Sequence, residues 1–195
     1  MDRAQIREQA NDLFSRISFA KTSVADIAKA CGLGKGTIYL YYKSKDDIIL
    51  EIIEERITKR VSSDAAYFRD DGVPLADKVL RFSDGLVDEA FALKDLLFGP
   101  FENVKADILK NVFFKYGRFY DWCIEHFMGV VRPYCGRAER EAEAFQADVK
   151  TYMELMIGRI VLYLVGRDWD DKEGLKAVVR PLSVRLFRSL VEQDA

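Results

Sequence analysis

Cysteine is scarce in this chain. It occurs three times in 195 residues, at Cys31, Cys123 and Cys135, at spacings that suit neither a disulfide framework nor a metal site. Histidine occurs once, as His126, with no evident Ser or Cys partner, and no hydrolytic triad, metal motif or glycine-rich phosphate loop is present. An enzyme is therefore not expected, and no cofactor or metal is implied. Four prolines and 12 glycines are too few for a loop-rich fold. No run approaches the roughly 20 apolar residues that a membrane span needs. The opening MDRAQIREQA has no apolar signal segment, so a reducing cytoplasm is the expected location. Charge of one sign is also lacking: the net charge is −2, which excludes an all-basic architectural protein.

What the chain does have is an uneven distribution of charge. Residues 1–45 hold eight Lys/Arg against four Asp/Glu, whereas the other 150 residues hold 22 against 28. Local positive charge is the electrostatic footprint of a nucleic-acid surface. It coincides with the segment Thr22–Lys45, TSVADIAKACGLGKGTIYLYYKSK, which reads as two short helices around a glycine turn. A short helix projecting from such a turn is the form of a helix-turn-helix.

Periodicity predicts helices throughout. Ile6, Ala10, Leu13, Phe14 and Ile17 share one stripe over residues 3–17. Thr22 or Ser23 caps the next helix, whose inner face is Val24, Ile27, Ala28 and Cys31. Gly32 ends it in a left-handed conformation, and Leu33 plugs the turn. A third helix runs from about Lys35 to Tyr42 with Ile38 and Tyr41 inward. Ser44 caps a fourth, which reaches about Ala66. Asp70–Pro74 is a turn, residues 75–98 are helical with Leu75, Val79, Phe82, Leu86 and Leu93 inside, and Gly99-Pro100 is a break. An aromatic-rich helical stretch follows to about residue 129. Two long helices, near 139–165 and 172–190, close the chain, the last continuing through Pro181.

In the third helix, Lys35 has the reach for a guanine edge or a phosphate, and Gly36 permits close backbone approach. Thr37 offers a hydroxyl and a methyl, Tyr39 a phosphate-bonding hydroxyl and Leu40 an apolar base contact. Thr22 at the preceding helix start, and Tyr42 and Lys45 beyond, suit the flanking DNA backbone. The segment resembles the TetR/AcrR family of transcriptional regulators, carried by Thr22, Ile27-Ala28, Cys31-Gly32-Leu33-Gly34-Lys35-Gly36-Thr37, Tyr39, Tyr41-Tyr42 and Ser44-Lys45. The resemblance covers about residues 6–53. The chain departs from the family pattern at Cys31, where Ala is common, and at Gly34, where a capping Ser is usual. Leu40 stands at a position often held by His, and Tyr42 replaces Phe while keeping the aromatic plug.

The resemblance implies an all-α protein: a helix-turn-helix domain over 1–48 joined to a helical ligand-binding and dimerisation domain over 49–195. The implied partners are a palindromic double-stranded DNA operator, a small-molecule effector and a second copy of the chain. The two last helices carry a wider apolar band than one small bundle needs, which independently favours a homodimer through residues near 139–165 and 172–190. Phe113, Tyr116, Phe119, Tyr120, Trp122, His126 and Phe127, with Tyr152 and Met156, are the candidate lining of an effector cavity, favouring an apolar or aromatic molecule. The implied function is a ligand-responsive repressor. A transcriptional activator of the same fold, or a helical scaffold without specific DNA binding, is the alternative.

Overall fold

Seven helices and no strand make up the described residues of the computed structural model, which are 2–98, 124, 125, 128, 139–165 and 170–191. The helices are α1 Arg3–Ile17, α2 Val24–Ala30, α3 Lys35–Tyr41, α4 Lys45–Phe68, α5 Leu75–Phe98, α6 Glu139–Val165 and α7 Lys172–Val191. The chain divides into two compact units, one of residues 1–60 with 92–103 and one of residues 61–91 with 104–195.

The first unit is built from short helices with well-defined ends. Asp2 and Gln5 form a reciprocal capping box at the start of α1, with Gln5 N donating to Asp2 Oδ1 at 2.9 Å and Asp2 N donating to Gln5 Oε1 at 2.8 Å. Ile6, Ala10, Leu13 and Phe14 are buried, but Ile17 is 46% exposed, contrary to the stripe reading. The helix stops at Ile17, and Ser18 turns the chain with φ +81°. Phe19 then packs edge-on against Phe14 at 5.4 Å, in place of Ile17. Ser44 and Asp47 cap α4 in the same reciprocal way, and Ile48, Ile49, Ile52 and Ile53 are buried along it. The end of α5 belongs to this unit, where the Leu96 and Leu97 carbonyls accept the amides of Phe19 (2.8 Å) and Ala20 (3.0 Å). Two of the carbonyls left over at the end of a helix are satisfied in this way.

The second unit contains the far end of α4, most of α5, and α6 and α7. Lys78 Nζ donates to the Phe68 carbonyl at 2.8 Å and so caps α4, while Phe68 and Phe82 meet edge-to-face at 6.3 Å. On α5, Val79, Phe82, Val87 and Phe91 are buried, while Leu86 and Leu93, expected inside, are half-buried. Arg180 of α7 grips Asp84 of α5 with two bonds, Nε to Oδ1 at 2.6 Å and Nη2 to Oδ2 at 2.7 Å. One turn away, Lys176 and Lys172 meet Asp88 at 2.8 and 3.0 Å. Partial burial works against the Asp88 carboxylate, yet the two lysine bonds hold it below the usual carboxylate range. Pro181 sits inside α7 without ending it. The expected Gly99-Pro100 break and nearly all of the aromatic stretch to residue 129 lie outside the described residues.

Candidate nucleic-acid interface

Two short helices and the turn between them place the candidate surface. Ser23, rather than Thr22, caps α2. Asp26 N donates to Ser23 Oγ at 3.2 Å, Ser23 N donates to Asp26 Oδ2 at 2.8 Å, and the Ser23 hydroxyl donates to the same oxygen at 2.6 Å. The Ser23 side-chain and backbone bonds hold the Asp26 carboxyl below its usual range. At the other end of α2, Gly32 adopts φ +64°, where a Cβ would be strained. Leu33 N donates back to Ala28 O at 2.9 Å and Gly32 N to Lys29 O at 3.1 Å, a Schellman closure that aims the chain into α3. Ile27 and Ala28 of α2, 0% and 4% exposed, and Ile38 of α3, 1% exposed, are the buried side chains of the two helices.

With Ile38 inside, α3 turns its other side out. Leu40 is 83% exposed and Tyr39 is 51% exposed, Lys35 and Gly36 are exposed, and Thr37 is half-buried. An added Cβ at Gly36 would meet nothing within 4 Å, so nothing inside the free protein requires glycine there. Gly34 caps α3 without a side-chain bond.

Three further residues expected on the DNA, Thr22, Tyr42 and Lys45, hold intramolecular partners within the first unit. Thr22 is 3% exposed, and its hydroxyl donates to the Ser18 carbonyl at 2.7 Å. Tyr42 is 2% exposed, and its hydroxyl donates to the Arg3 carbonyl at 3.1 Å, so its role is the aromatic plug. Lys45 points back to the α1–α2 corner. Its Nζ donates to the carbonyls of Phe19 (2.6 Å) and Thr22 (2.7 Å) and lies 4.0 Å from the centre of the Phe19 ring. Burial lowers the Lys45 pKa, with Asp46 opposing. Tyr42 and Lys45 are satisfied by chain 39 and 26 residues away, which local patterning does not register, whereas Thr22 bonds within its own turn.

The reading from sequence also passed over Arg3, Arg7, Glu51 and Glu55. Arg3 and Arg7 stand four apart on α1, and Glu51 and Glu55 stand four apart on α4. That matched spacing of opposite charge is the signal that would have revealed them. Arg7 Nη1 meets Glu51 at 2.6 Å and Arg7 Nε meets Glu55 at 3.0 Å.

In the second unit, Tyr152 and Met156, expected to face an effector, are both buried. Tyr152 is 4% exposed, its hydroxyl shares a 2.7 Å hydrogen bond with Ser183, and Met156 is fully buried. Burial pushes the Tyr152 phenol up, against the lowering effect of hydrogen bonds with Ser183 and Ser83. Phe113, Tyr116, Phe119, Tyr120, Trp122, His126 and Phe127 lie outside the described residues. On the outer side of α6, Leu155 and Leu162 are 63% and 69% exposed with exposed Gly158 between them, and Leu182 of α7 is 41% exposed. No described helix is long and apolar enough to cross a membrane.

Residues 6–52 match the family model described as bacterial regulatory proteins, tetR family. The fatty acid metabolism regulator protein of Bacillus subtilis is 36% identical over 53 residues, covering 27% of each chain. The match thus spans about a quarter of that relative's length. Among solved structures, a transcriptional regulator from Cytophaga hutchinsonii superposes with a TM-score of 0.64 at 14% identity, covering 95% of this chain and 96% of the other. The regulator FadR from Bacillus subtilis, solved in complex with stearoyl-CoA, gives 0.55 at 16% identity over 95% and 97%. The structural likenesses extend the shared fold over nearly the whole chain.

Proposed function

We propose that this chain, which belongs through residues 6–52 to the tetR family of bacterial regulatory proteins, is a ligand-responsive transcriptional repressor that dimerises and releases a palindromic operator when an effector binds. The observation that carries the DNA reading is the outward face of α3, where Lys35, Gly36, Thr37, Tyr39 and Leu40 surround a helix anchored by buried Ile38. Thr37 and Leu40 have the chemistry for a thymine methyl, Lys35 for a guanine edge or phosphate, and Tyr39 for a phosphate. Behind them, Tyr42 ties the end of α3 to α1, while Thr22 and Lys45 brace the α1–α2 corner. The open space around Gly36 supports close approach by a DNA backbone.

Pairing of two copies through α6 and α7 is supported by the exposed Leu155, Gly158 and Leu162 on α6 and Leu182 on α7, which water would otherwise cover. A two-fold dimer presents two reading heads to half-sites about 34–36 Å apart. The effector is proposed to be apolar or aromatic. The stearoyl-CoA complex of a protein with the same fold supports an apolar ligand, and α4 is the candidate lever that transmits its binding. The ligand acts only through its difference in affinity between the two head spacings. We assign no catalytic step to the chain.

The test is footprinting on DNA upstream of its own and neighbouring genes over a salt series, with Gly36→Ala as the diagnostic variant. The added methyl meets no atom of the free protein and improves helix propensity by about 1 kcal/mol. The expected outcome is a protected palindrome for the wild type, with the variant as stable but at least tenfold weaker on that site (roughly 1.4 kcal/mol). Undiminished binding by the variant would remove α3 from the DNA. A folded dimer that protects no sequence, even in genome-wide selection, would favour the scaffold reading.

A further inference from the structure

We propose that Arg3 is a positioning residue for DNA reading, fixing the C-terminal end of α3 against α1 and α4 so that the exposed α3 face meets the groove in one orientation. The inference rests on the DNA-binding reading above. It begins from the shortness of α3. A seven-residue helix makes few bonds of its own, and its last carbonyls have no partner within it.

Arg3 supplies what the helix lacks, through three parts of one guanidinium. Nη1 donates to the Tyr41 carbonyl at 3.1 Å, at the last residue of α3. Nε (2.9 Å) and Nη2 (2.8 Å) both meet Oε2 of Glu51 on α4. The guanidinium carbon stands 4.4 Å from the centre of the Tyr42 ring, directly after the helix. Tyr42 closes the loop by donating its hydroxyl to the Arg3 carbonyl at 3.1 Å. A cation at a helix C-terminus also complements the helix dipole.

This arrangement needs the planar fork of arginine, which can serve a carbonyl, a carboxylate and a ring face at once. The compact ammonium of lysine cannot. Glu51 is itself held from a second direction by Arg7 at 2.6 Å. Partial burial opposes the charge on Glu51, but the hydrogen bonds from Arg3 and Arg7 prevail and keep the carboxyl below its usual range. None of Lys35, Thr37, Tyr39 and Leu40 takes part, so the frame and the reading face are separate sets of side chains.

The experiment compares wild type, Arg3→Ala, Arg3→Lys and Glu51→Gln as full-length chains. The probes are a duplex selected by the wild type from a random pool and an unrelated duplex of equal length, with a salt series and a thermal melt. A lost positioning contact weakens binding to the selected duplex by about tenfold in Arg3→Ala. Binding to the unrelated duplex and the slope of affinity against salt stay unchanged, because no phosphate contact is removed. Arg3→Lys does not restore discrimination, and Glu51→Gln, which loosens the fork from α4, loses it in the same direction.

Full rescue by lysine, a salt slope smaller by about one (the mark of a direct phosphate contact), or equal weakening on both duplexes would overturn the inference. If Arg3→Ala melts early, Glu51→Gln read at a temperature where it is folded decides by the same criteria. Wild-type selection of a sequence with unchanged discrimination in the variants would refute positioning alone. Failure of the wild type to select any sequence would refute the DNA reading, and this inference with it.

Discussion

The two compact units of this chain hold their helices by different means. In the first, α2 and α3 have seven residues each and are too short to persist alone. Order there comes from reciprocal caps, a Schellman turn and long-range polar contacts, among them Lys45 at the α1–α2 corner and Arg3 at the end of α3. In the second, the helices run for 20 to 27 residues, so each makes many bonds of its own. Polar contacts there select how the helices pair: Asp84 and Asp88 of α5 against Arg180 and Lys176 of α7, and the Tyr152–Ser183 bond between α6 and α7. Polar contacts in the first unit thus support helices too short to stand alone, while in the second they fix how long helices pair.

The strongest challenge to this contrast is Tyr42→Ala. It empties a site that is 2% exposed and removes the ring beneath Arg3. We expect a loss of about 3–5 kcal/mol from the first unit, the usual range for a large buried aromatic. Urea unfolding measures it, and DNA binding should disappear together with the structure of the head. A loss below about 1 kcal/mol would mean that the short helices do not depend on their long-range plug.

Tyr152→Phe asks the matching question of the second unit. It keeps the ring and removes only the hydroxyl that Ser183 and Ser83 share, for an expected cost of about 1–2 kcal/mol. Helix content by circular dichroism should be unchanged, because register rather than helix formation is at stake. A fall in helix content along with stability would erase the distinction between the units.

The smallest expected effect has the opposite sign. Ser18 is buried at φ +81° and ψ 152°, a region that only glycine occupies at ease, and its hydroxyl has no hydrogen-bond partner. Ser18→Gly should raise stability by about 1 kcal/mol through relief of that strain. A thermal melt would show a higher midpoint. A lower one would mean that the strain is outweighed by the freedom glycine adds to the unfolded chain.

Much of the fold was legible in the sequence. The cap at Ser44, a cap at Thr22 or Ser23, the left-handed Gly32, the helices over 75–98 and 139–165, and the continuation through Pro181 all follow from patterns within a few residues. The candidate site was legible in part. Ile38 was read as inward, and Lys35, Gly36, Tyr39 and Leu40 proved exposed. Ile17 was misread as inward, and the intramolecular partners of Thr22, Tyr42 and Lys45 were not foreseen, for one reason: a residue type announces what it can do, while its surroundings decide what it does.

The sequence by itself determined that the described residues are helical, where their helices begin and turn, and that the N-terminal unit is a helix-turn-helix. Those outcomes rest on backbone conformation, capping and apolar period, which act over a turn or two of chain. Only the tertiary structure decided which polar side chains are left to face outward. Lys45 answers to a carbonyl 26 residues away and Tyr42 to one 39 residues away. A polar group that finds such a partner no longer needs water, and it becomes part of the frame.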